Sequence, residues 1–359
     1  TVDVDFLLQR GRIHENLSVG ADVASTVPLR ANHQMSFQGV ILVGEGFRLS
    51  SSDLNGLGIN PSMLPSVVKK YIIGRDLAQI PEDRYVIDFY GLDLSEVREL
   101  YPDLLQKVMN EVKPARDVSK DRQFRENWWL WGRPRPDMRD AILGLPRYIG
   151  TCRTATHRVF VFLDADVMPD AKVIAVSLAD GFFLGVLSSR IHVVWSRATG
   201  AWLGVGNDSN YNHSECFAKF PFPAASDAQR ARIRAVAEEL DAHRKRQQAA
   251  HPRLTLTDIY NVLDKLRRGE VLSAKERQVH EQGLVSVLRH LHDELDALVA
   301  DAYGWPATLR DDEILARLVA LNAERAAEEA AGVVRWLRPE YQVAGGGLQV
   351  VREATAEYV

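Results

Sequence analysis

Arg125-Glu-Asn-Trp-Trp-Leu-Trp-Gly-Arg133-Pro-Arg135-Pro-Asp-Met-Arg139 is the most unusual stretch of this 359-residue chain. Three tryptophans in four residues bring a large apolar surface, and the Arg-Pro-Arg-Pro run behind them carries cations on a stiffened backbone. Guanidinium groups can fork onto phosphate oxygens or reach guanine O6 and N7 in a major groove. Trp128, Trp129 and Trp131 can wedge, stack or build core, and core is the commoner fate of tryptophan.

The surroundings are basic in an acidic protein. The formal net charge is −4, yet residues 116–223 carry 14 Lys/Arg against 11 Asp/Glu, while 1–115 carry 11 against 15 and 224–359 carry 19 against 22. Between Arg116 and Arg158 there are ten basic and five acidic residues. A basic, aromatic-rich stripe suits an anionic ligand bound to one face, although a solvated charged surface has the same composition.

Length and composition bound the rest. At roughly 150 residues per domain the chain holds about two or three domains. Apolar residues at 46% and charged residues at 26% are those of a globular protein. The longest apolar runs, such as Val159–Leu163, are far short of the ~20 residues a membrane helix needs. Cys152 and Cys216 alone make neither a disulfide framework nor a zinc cage, which fits a reducing cytoplasm. Thr1-Val-Asp-Val-Asp5 lacks the charge and apolar stretch of a signal peptide, and the missing initiator Met suggests a piece of a longer chain.

Working outward, residues 1–65 read as loops and short strands. Tyr71–Ile73 and Tyr85–Phe89 read as strands, and Ser95 caps a helix running towards Val112. Val159–Leu163, Val173–Val176 and Phe182–Leu187 read as three more strands, and Phe220-Pro-Phe-Pro223 closes the region. Beyond Pro223 the period turns helical. Ile233, Val236, Ala237 and Leu240 mark one helix, and Thr257 caps a second that ends at Gly269. Ser273-Ala-Lys-Glu276 is a capping box before the long stripe Leu284 to Val299, and Asp311 or Asp312 opens a last helix ending near Gly332. The expected fold is α+β: a mixed α/β region followed by an all-α region of four antiparallel helices.

Most candidate chemistry fails on these residues. Gly44-Glu-Gly46 follows a strand-like run, but Arg48-Leu-Ser-Ser-Ser-Asp-Leu-Asn is not a convincing phosphate-binding helix, so a hairpin turn is expected. Asn60-Pro61-Ser62-Met63 lacks the second proline and the aromatic with which amino-methyltransferases grip a flipped base. His290 and His292, two apart on a helix, point to nearly opposite sides and cannot share an ion; surface or capping roles are expected. No nucleophile elbow and no activated cysteine stands out. No catalytic residue and no metal ligand is assigned. Gly204-Val-Gly206-Asn-Asp208-Ser-Asn210-Tyr-Asn212 is dense in groups that can read base edges, since Asn pairs with adenine and Asp accepts from cytosine N4; a polar turn without a role is equally consistent.

Several long motifs in order resemble one family. Trp128-Trp-Leu-Trp-Gly-Arg-Pro-Arg-Pro-Asp-Met-Arg139, Leu145-Pro-Arg-Tyr-Ile149, Phe183-Leu-Gly-Val-Leu-Ser-Ser-Arg-Ile-His192-Val-Val-Trp195 and Phe217-Ala-Lys-Phe-Pro-Phe-Pro223 look like the MmeI-like, single-chain DNA adenine-N6 methyltransferases of restriction–modification and defence systems. Asn16-Leu-Ser-Val-Gly20-Ala-Asp22 looks like the exit from their methyltransferase core, and Leu254–Asn261 and Asn322–Tyr341 look like their helical C-terminal part.

The resemblance implies an exit segment over 1–34, a target-recognition domain over 35–223 and a helical domain over 224–359. It implies double-stranded DNA and an upstream methyltransferase domain as partners, and no membrane. S-adenosylmethionine would be bound upstream, with no cofactor in this chain, and any nuclease would lie upstream too. Arg133, Arg135, Arg139, Arg153 and Arg158 would hold phosphates, and Gly206, Asn207, Asp208 and Asn210 would read bases. Ser188, Ser189, Arg190 and His192 look like the segment packed beneath or beside that loop. The rival reading is a protein-interaction module of a defence complex whose basic stripe meets an acidic partner. A self-sufficient enzyme would need a cofactor site that these residues do not provide.

Overall fold

The computed structural model describes residues 21–203 and 208–343. Its extended runs are β1 (Ser36–Gln38), β2 (Arg48–Ser50), β3 (Val68–Ile72), β4 (Arg84–Ile87), β5 (Arg147–Cys152) and β6 (Thr154–Ala155). They continue with β7 (Phe160–Asp164), β8 (Val167–Pro169), β9 (Val173–Val176), β10 (Ala201–Leu203) and β11 (Asp208–Asn210). Three small sheets result, ordered β1-β9-β5-β7, β2-β4-β3-β8 and β10-β11-β6. The first and third are antiparallel throughout, and the second becomes parallel at β3–β8.

The first sheet is buried on both faces, which explains why β9 reads as an unbroken apolar run. Ile174 and Val176 belong to one hydrophobic core and Ala175 to another, as the alternation of a strand requires. Tyr148 and Ile149 on β5 divide in the same way.

One core joins this sheet to the second sheet and to the helices Leu94–Leu100 and Pro102–Glu111. Trp128 and Trp131 are buried in it, and Trp131 Nε1 donates to the Ile87 carbonyl at 2.8 Å. The tryptophan cluster is therefore core.

The other core joins the first sheet to the helices Gly181–Ser188, Arg190–Thr199, Asp227–Ala250, Leu256–Arg268, Val285–Ala302 and Asp311–Ala330. It runs without a break across residue 223. The overall architecture is α+β with a helical C-terminal part, as expected.

Several elements differ from the sequence expectation. Phe182–Leu187 is a helix, not a strand. Asp180 caps its N-terminus, and the helix is apolar all round because it lies between the first sheet and the Asp227–Ala250 helix, so it shows no helical period. The helix expected from Ser95 to Val112 is two helices, because Tyr101 leaves the helical conformation ahead of Pro102, and its cap is Asp93. Ser51–Gly56 is a short helix with a Ser50–Asp53 capping box where none was expected. The second C-terminal helix is capped by Thr255, not Thr257. Ser273 caps only Ala274–Gln282; the chain breaks at Gly283 and Leu284, whose φ of 43° is left-handed, and restarts at Val285. That break makes five C-terminal helices longer than a turn among the described residues, not four.

The N-terminal stretch is tied to the last long helix. Asn322 accepts from the Val27 amide and donates to the Val27 and Lys219 carbonyls, while the Glu329 carboxylate takes the amides of Arg30 and Ala31. Gln342 and Asn32 complete the seam, with Asn32 donating to Phe217, Ala218 and Phe220 carbonyls.

Helix packing under the first sheet depends on one missing side chain. A Cβ at Gly185 would stand 2.6 Å from Ile233 Cγ2 and 3.1 Å from Leu295 Cδ1. Alanine there gains about 1 kcal/mol of helix propensity. Overpacking costs about 1–3 kcal/mol and wins where, as here, the neighbours are themselves packed. Gly185→Ala is therefore expected to lower the urea midpoint of unfolding; an unchanged or raised midpoint would show that the interface can relax.

Candidate nucleic-acid interface

Of the polar loop singled out in the sequence, Asp208–Asn210 form strand β11, which pairs antiparallel with β10 as a hairpin. Trp202 pairs with Ser209 across β10 and β11, and Ala155 and Thr154 of β6 pair with Ser209 and Asn210 on the other side. Gly206 and Asn207 lie outside the described residues. Gly200 admits the hairpin to its place, since a Cβ there would sit 2.6 Å from the Asn210 carbonyl oxygen and 2.6 Å from that of Ser196. Beside the hairpin opens a cavity of about 550 Å³, with Arg75, Gln79, Thr154, Thr156, Asp208 and Thr257 among its walls.

Behind β11 stands Arg158, only 6% exposed. Its Nη2 donates to the Ser209 carbonyl at 2.8 Å and to Ser209 Oγ at 3.0 Å, and Nη1 donates to the Cys152 carbonyl and to Thr151 Oγ1. The guanidinium lies 5.1 Å from the centre of the Tyr211 ring. Tyr211 in turn pairs with His192, Oη to Nε2 at 2.9 Å. Burial, with Arg158 adding to it, holds the His192 imidazole down to about 3. His192 is therefore neutral, wedged edge-on against Phe220 at 4.4 Å between ring centres. Burial likewise pushes the Cys152 thiol up to about 11, which disfavours the thiolate.

The five arginines expected on phosphates do not act alike. Arg158 is sealed in as described: Nη1 and Nη2 are both engaged by protein groups, Nε is buried without a partner, and the guanidinium cannot reach DNA. Arg139 is likewise framework: Nη1 and Nη2 make a two-pronged pair with the buried Asp88 at 2.8 and 3.1 Å, and Nε donates to the Pro134 carbonyl. Tyr90 and Trp131 stack on the Arg139 cation at 4.5 and 5.0 Å. Arg135, in a left-handed conformation at the start of the Pro136–Ile142 helix, donates to the Gly39 carbonyl and to Gln38 Oε1. After burial, it and Arg153 are the positive charges that lower the His213 pKa.

Arg133 and Arg153 remain. Arg133 is exposed and Arg153 half-buried, and neither guanidinium has an ion pair or hydrogen bond among the described residues. Two further cations that sequence reading missed lie near Arg153, whereas Arg133 pairs through its backbone with Ile41. The Arg153 amide donates to the Lys172 carbonyl at 2.7 Å, and Gly74 packs against Lys172, bringing exposed Arg75 alongside. Lys172 and Arg75 are far from the Arg116–Arg158 stripe in sequence, so only the β5–β9 pairing and the Gly74–Ala78 turn reveal them.

The supporting segment is a helix joint. Ser188 ends one helix and Ser189 opens the next, both buried. Arg190 binds Asp311 and the Leu309 carbonyl.

The decoys resolve on packing. Gly44-Glu-Gly46 is not the expected hairpin turn but leads into a short 3-10 helix, Glu45–Phe47, closed against the Pro102–Glu111 helix: a Cβ at Gly46 would meet Glu111 Cβ at 2.4 Å. Asn60 Oδ1 accepts from the Ser62 amide in an exposed turn. His290 is exposed, whereas His292, expected at a surface or cap, is buried and bonded to Tyr260 Oη at 2.8 Å. Among the described residues no three His, Cys, Asp or Glu side chains are placed to hold a metal, and no helix is long and apolar enough to cross a membrane.

The family profile described as MmeI, target recognition domain matches residues 22–224. The chain belongs to the MmeI target recognition domain family. Its fold is similar to that of the type IIL restriction–modification enzyme MmeI, solved in complex with DNA, with a TM-score of 0.63 at 18% identity over 87% of this chain. The chain spans 38% of the length of that structure. No curated protein matches it. The MmeI-type recognition region thus contains the hairpin, the first two sheets and the Phe-Pro closing motif.

Two predictions follow from the geometry of this region. Asp88→Ala leaves the Arg139 charge half-buried and unpaired and should cost about 3 kcal/mol in urea unfolding, whereas Arg133→Ala should change it by less than about 0.5 kcal/mol. Equal effects would remove the distinction between framework and surface arginines. His192 protonates in the unfolded chain near its ordinary value of 6.5 but resists protonation in the folded one until about 3. Its contribution is present above about pH 6.5 and is lost as pH falls through that window, by up to about 1.4 kcal/mol per pH unit. Asp296, pushed up to about 6 by burial, opposes this over part of the range, so the comparison must be with a variant. His192→Gln should flatten the fall in stability between pH 6.5 and 4.5; an unchanged slope would mean that His192 does not stay neutral.

Proposed function

We propose that this chain is the sequence-specific duplex-DNA recognition portion of a restriction–modification enzyme. The observation that carries the reading is the recognition-domain match over residues 22–224, with Arg75, Arg153 and Lys172 close to the hairpin of that same region. Arg133, Arg153, Arg75 and Lys172 hold phosphates and fix register, Asp208 and Asn210 of β11 read base edges, and Gly206 and Asn207 are assigned the same role from the sequence motifs alone. Arg135 adds field more than contact. Residues 1–34 lead in from a methyltransferase core, 35–223 form the recognition domain, and 224–359 buttress it.

The whole protein, in this reading, is an adenine-N6 DNA methyltransferase of a cytoplasmic phage-defence or restriction–modification system. Its upstream methyltransferase domain binds S-adenosylmethionine and takes the adenine out of the stack. The support for these finer statements is the ordered set of sequence motifs, together with the two unpaired cysteines for a reducing compartment.

A salt titration of duplex binding tests the phosphate contacts. Each lost contact should flatten the slope of log K against log salt by about 0.9. Arg133→Ala with Arg153→Ala should therefore reduce the slope by about 2, and adding Lys172→Ala should reduce it further. A slope equal to wild type would rule these cations out. Binding of an acidic protein but of no duplex at low salt would replace the reading with a protein-interaction module.

A further inference from the structure

We infer that Thr156 is a positioning residue for base readout: its hydroxyl holds the Asp208 carboxylate in the orientation in which it meets a base pair. This rests on the proposed role of Asp208 as a base contact. Thr156 Oγ1 donates to Asp208 Oδ1 at 2.8 Å, and no described side chain donates to Oδ2. A carboxylate with one oxygen tied keeps the other as an acceptor in a fixed direction. That is what discrimination of an exocyclic amino group, cytosine N4 or adenine N6, requires. Left untied, an exposed aspartate samples several rotamers and reads less sharply.

Thr156 is itself held on both sides. Before it, Thr154 and Ala155 pair with Asn210 and Ser209, and Ser209 Oγ donates to the Ala155 carbonyl at 3.1 Å. After it, His157 Nε2 pairs with Asn261 Oδ1 at 2.7 Å and its ring lies 5.9 Å from that of Tyr260, both residues on the Leu256–Arg268 helix. Arg158 then returns to Ser209. The hydroxyl that sets Asp208 is thus fixed by the recognition hairpin and by the helical region together. Thr156 and Thr154 also face the open cavity beside Asp208, where a base edge or backbone has room to enter.

The test is selection of bound duplexes from a randomised pool by this chain, comparing wild type with Asp208→Asn, Thr156→Val and Thr156→Ser, with melting temperatures measured alongside. Thr156→Val should lose preference about tenfold at the same base pair that Asp208→Asn alters, with melting temperature and low-salt affinity unchanged. Thr156→Ser, which keeps the hydroxyl, should restore it. If Asp208→Asn shifts the preference while Thr156→Val does not, or if Thr156→Ser fails like valine, the inference is overturned and the reading of Asp208 stands. If wild type selects no sequence, or Asp208→Asn changes nothing, the reading of Asp208 fails and the inference falls with it.

Discussion

A sheet buried on both faces ties everything else in this molecule together. β9 sits between β1 and β5, and its side chains alternate between a core shared with the second sheet and a core shared with the C-terminal helices. Neither half can shift without opening a core in which each buried large side chain contributes roughly 1.5–3 kcal/mol. The hairpin of β10 and β11 hangs from this unit through β6, the immediate continuation of β5. A recognition element benefits from such a mount, because an error of about 1 Å is enough to spoil hydrogen bonds to a base.

The mount itself depends on a buried cation without a carboxylate. Taking a guanidinium out of water costs several kcal/mol unless its protons are engaged. Arg158 meets that cost with two carbonyls, two hydroxyls and the face of Tyr211. Every one of those partners lies on β5, on β11 or just beyond it, so the interaction that solvates the charge also fixes the strands relative to each other. Among the described residues no carboxylate pairs with Arg158, and the charge lies behind β11.

Much of this was legible in the sequence, and the failures have physical causes. The amphipathic C-terminal helices announced themselves by period, apart from the cap at Thr255, misplaced by two residues, and the break at Leu284, where a non-glycine residue takes a left-handed conformation that no local signal marks. The helix over Gly181–Ser188 escaped because complete burial erases periodicity. The basic stripe was visible, but sequence cannot tell an arginine that faces solvent from one that solvates itself on protein. Arg139 and Arg158 are framework because Asp88 and Ser209, 51 residues away in each case, come to meet them. Arg75, Lys172 and Thr156 went unnoticed for the converse reason: each is ordinary in its own stretch and gains meaning from strand pairing.

We propose that DNA is read on the β6–β10–β11 face. Hydrogen–deuterium exchange of this chain, with and without a saturating duplex pool at low salt, tests it most directly. Slowed exchange at residues 153–156 and 208–212, with the Pro102–Glu111 helix unchanged, is the result this structure predicts. Protection confined to the helices between Asp227 and Ala330, with the hairpin unaffected, would contradict it.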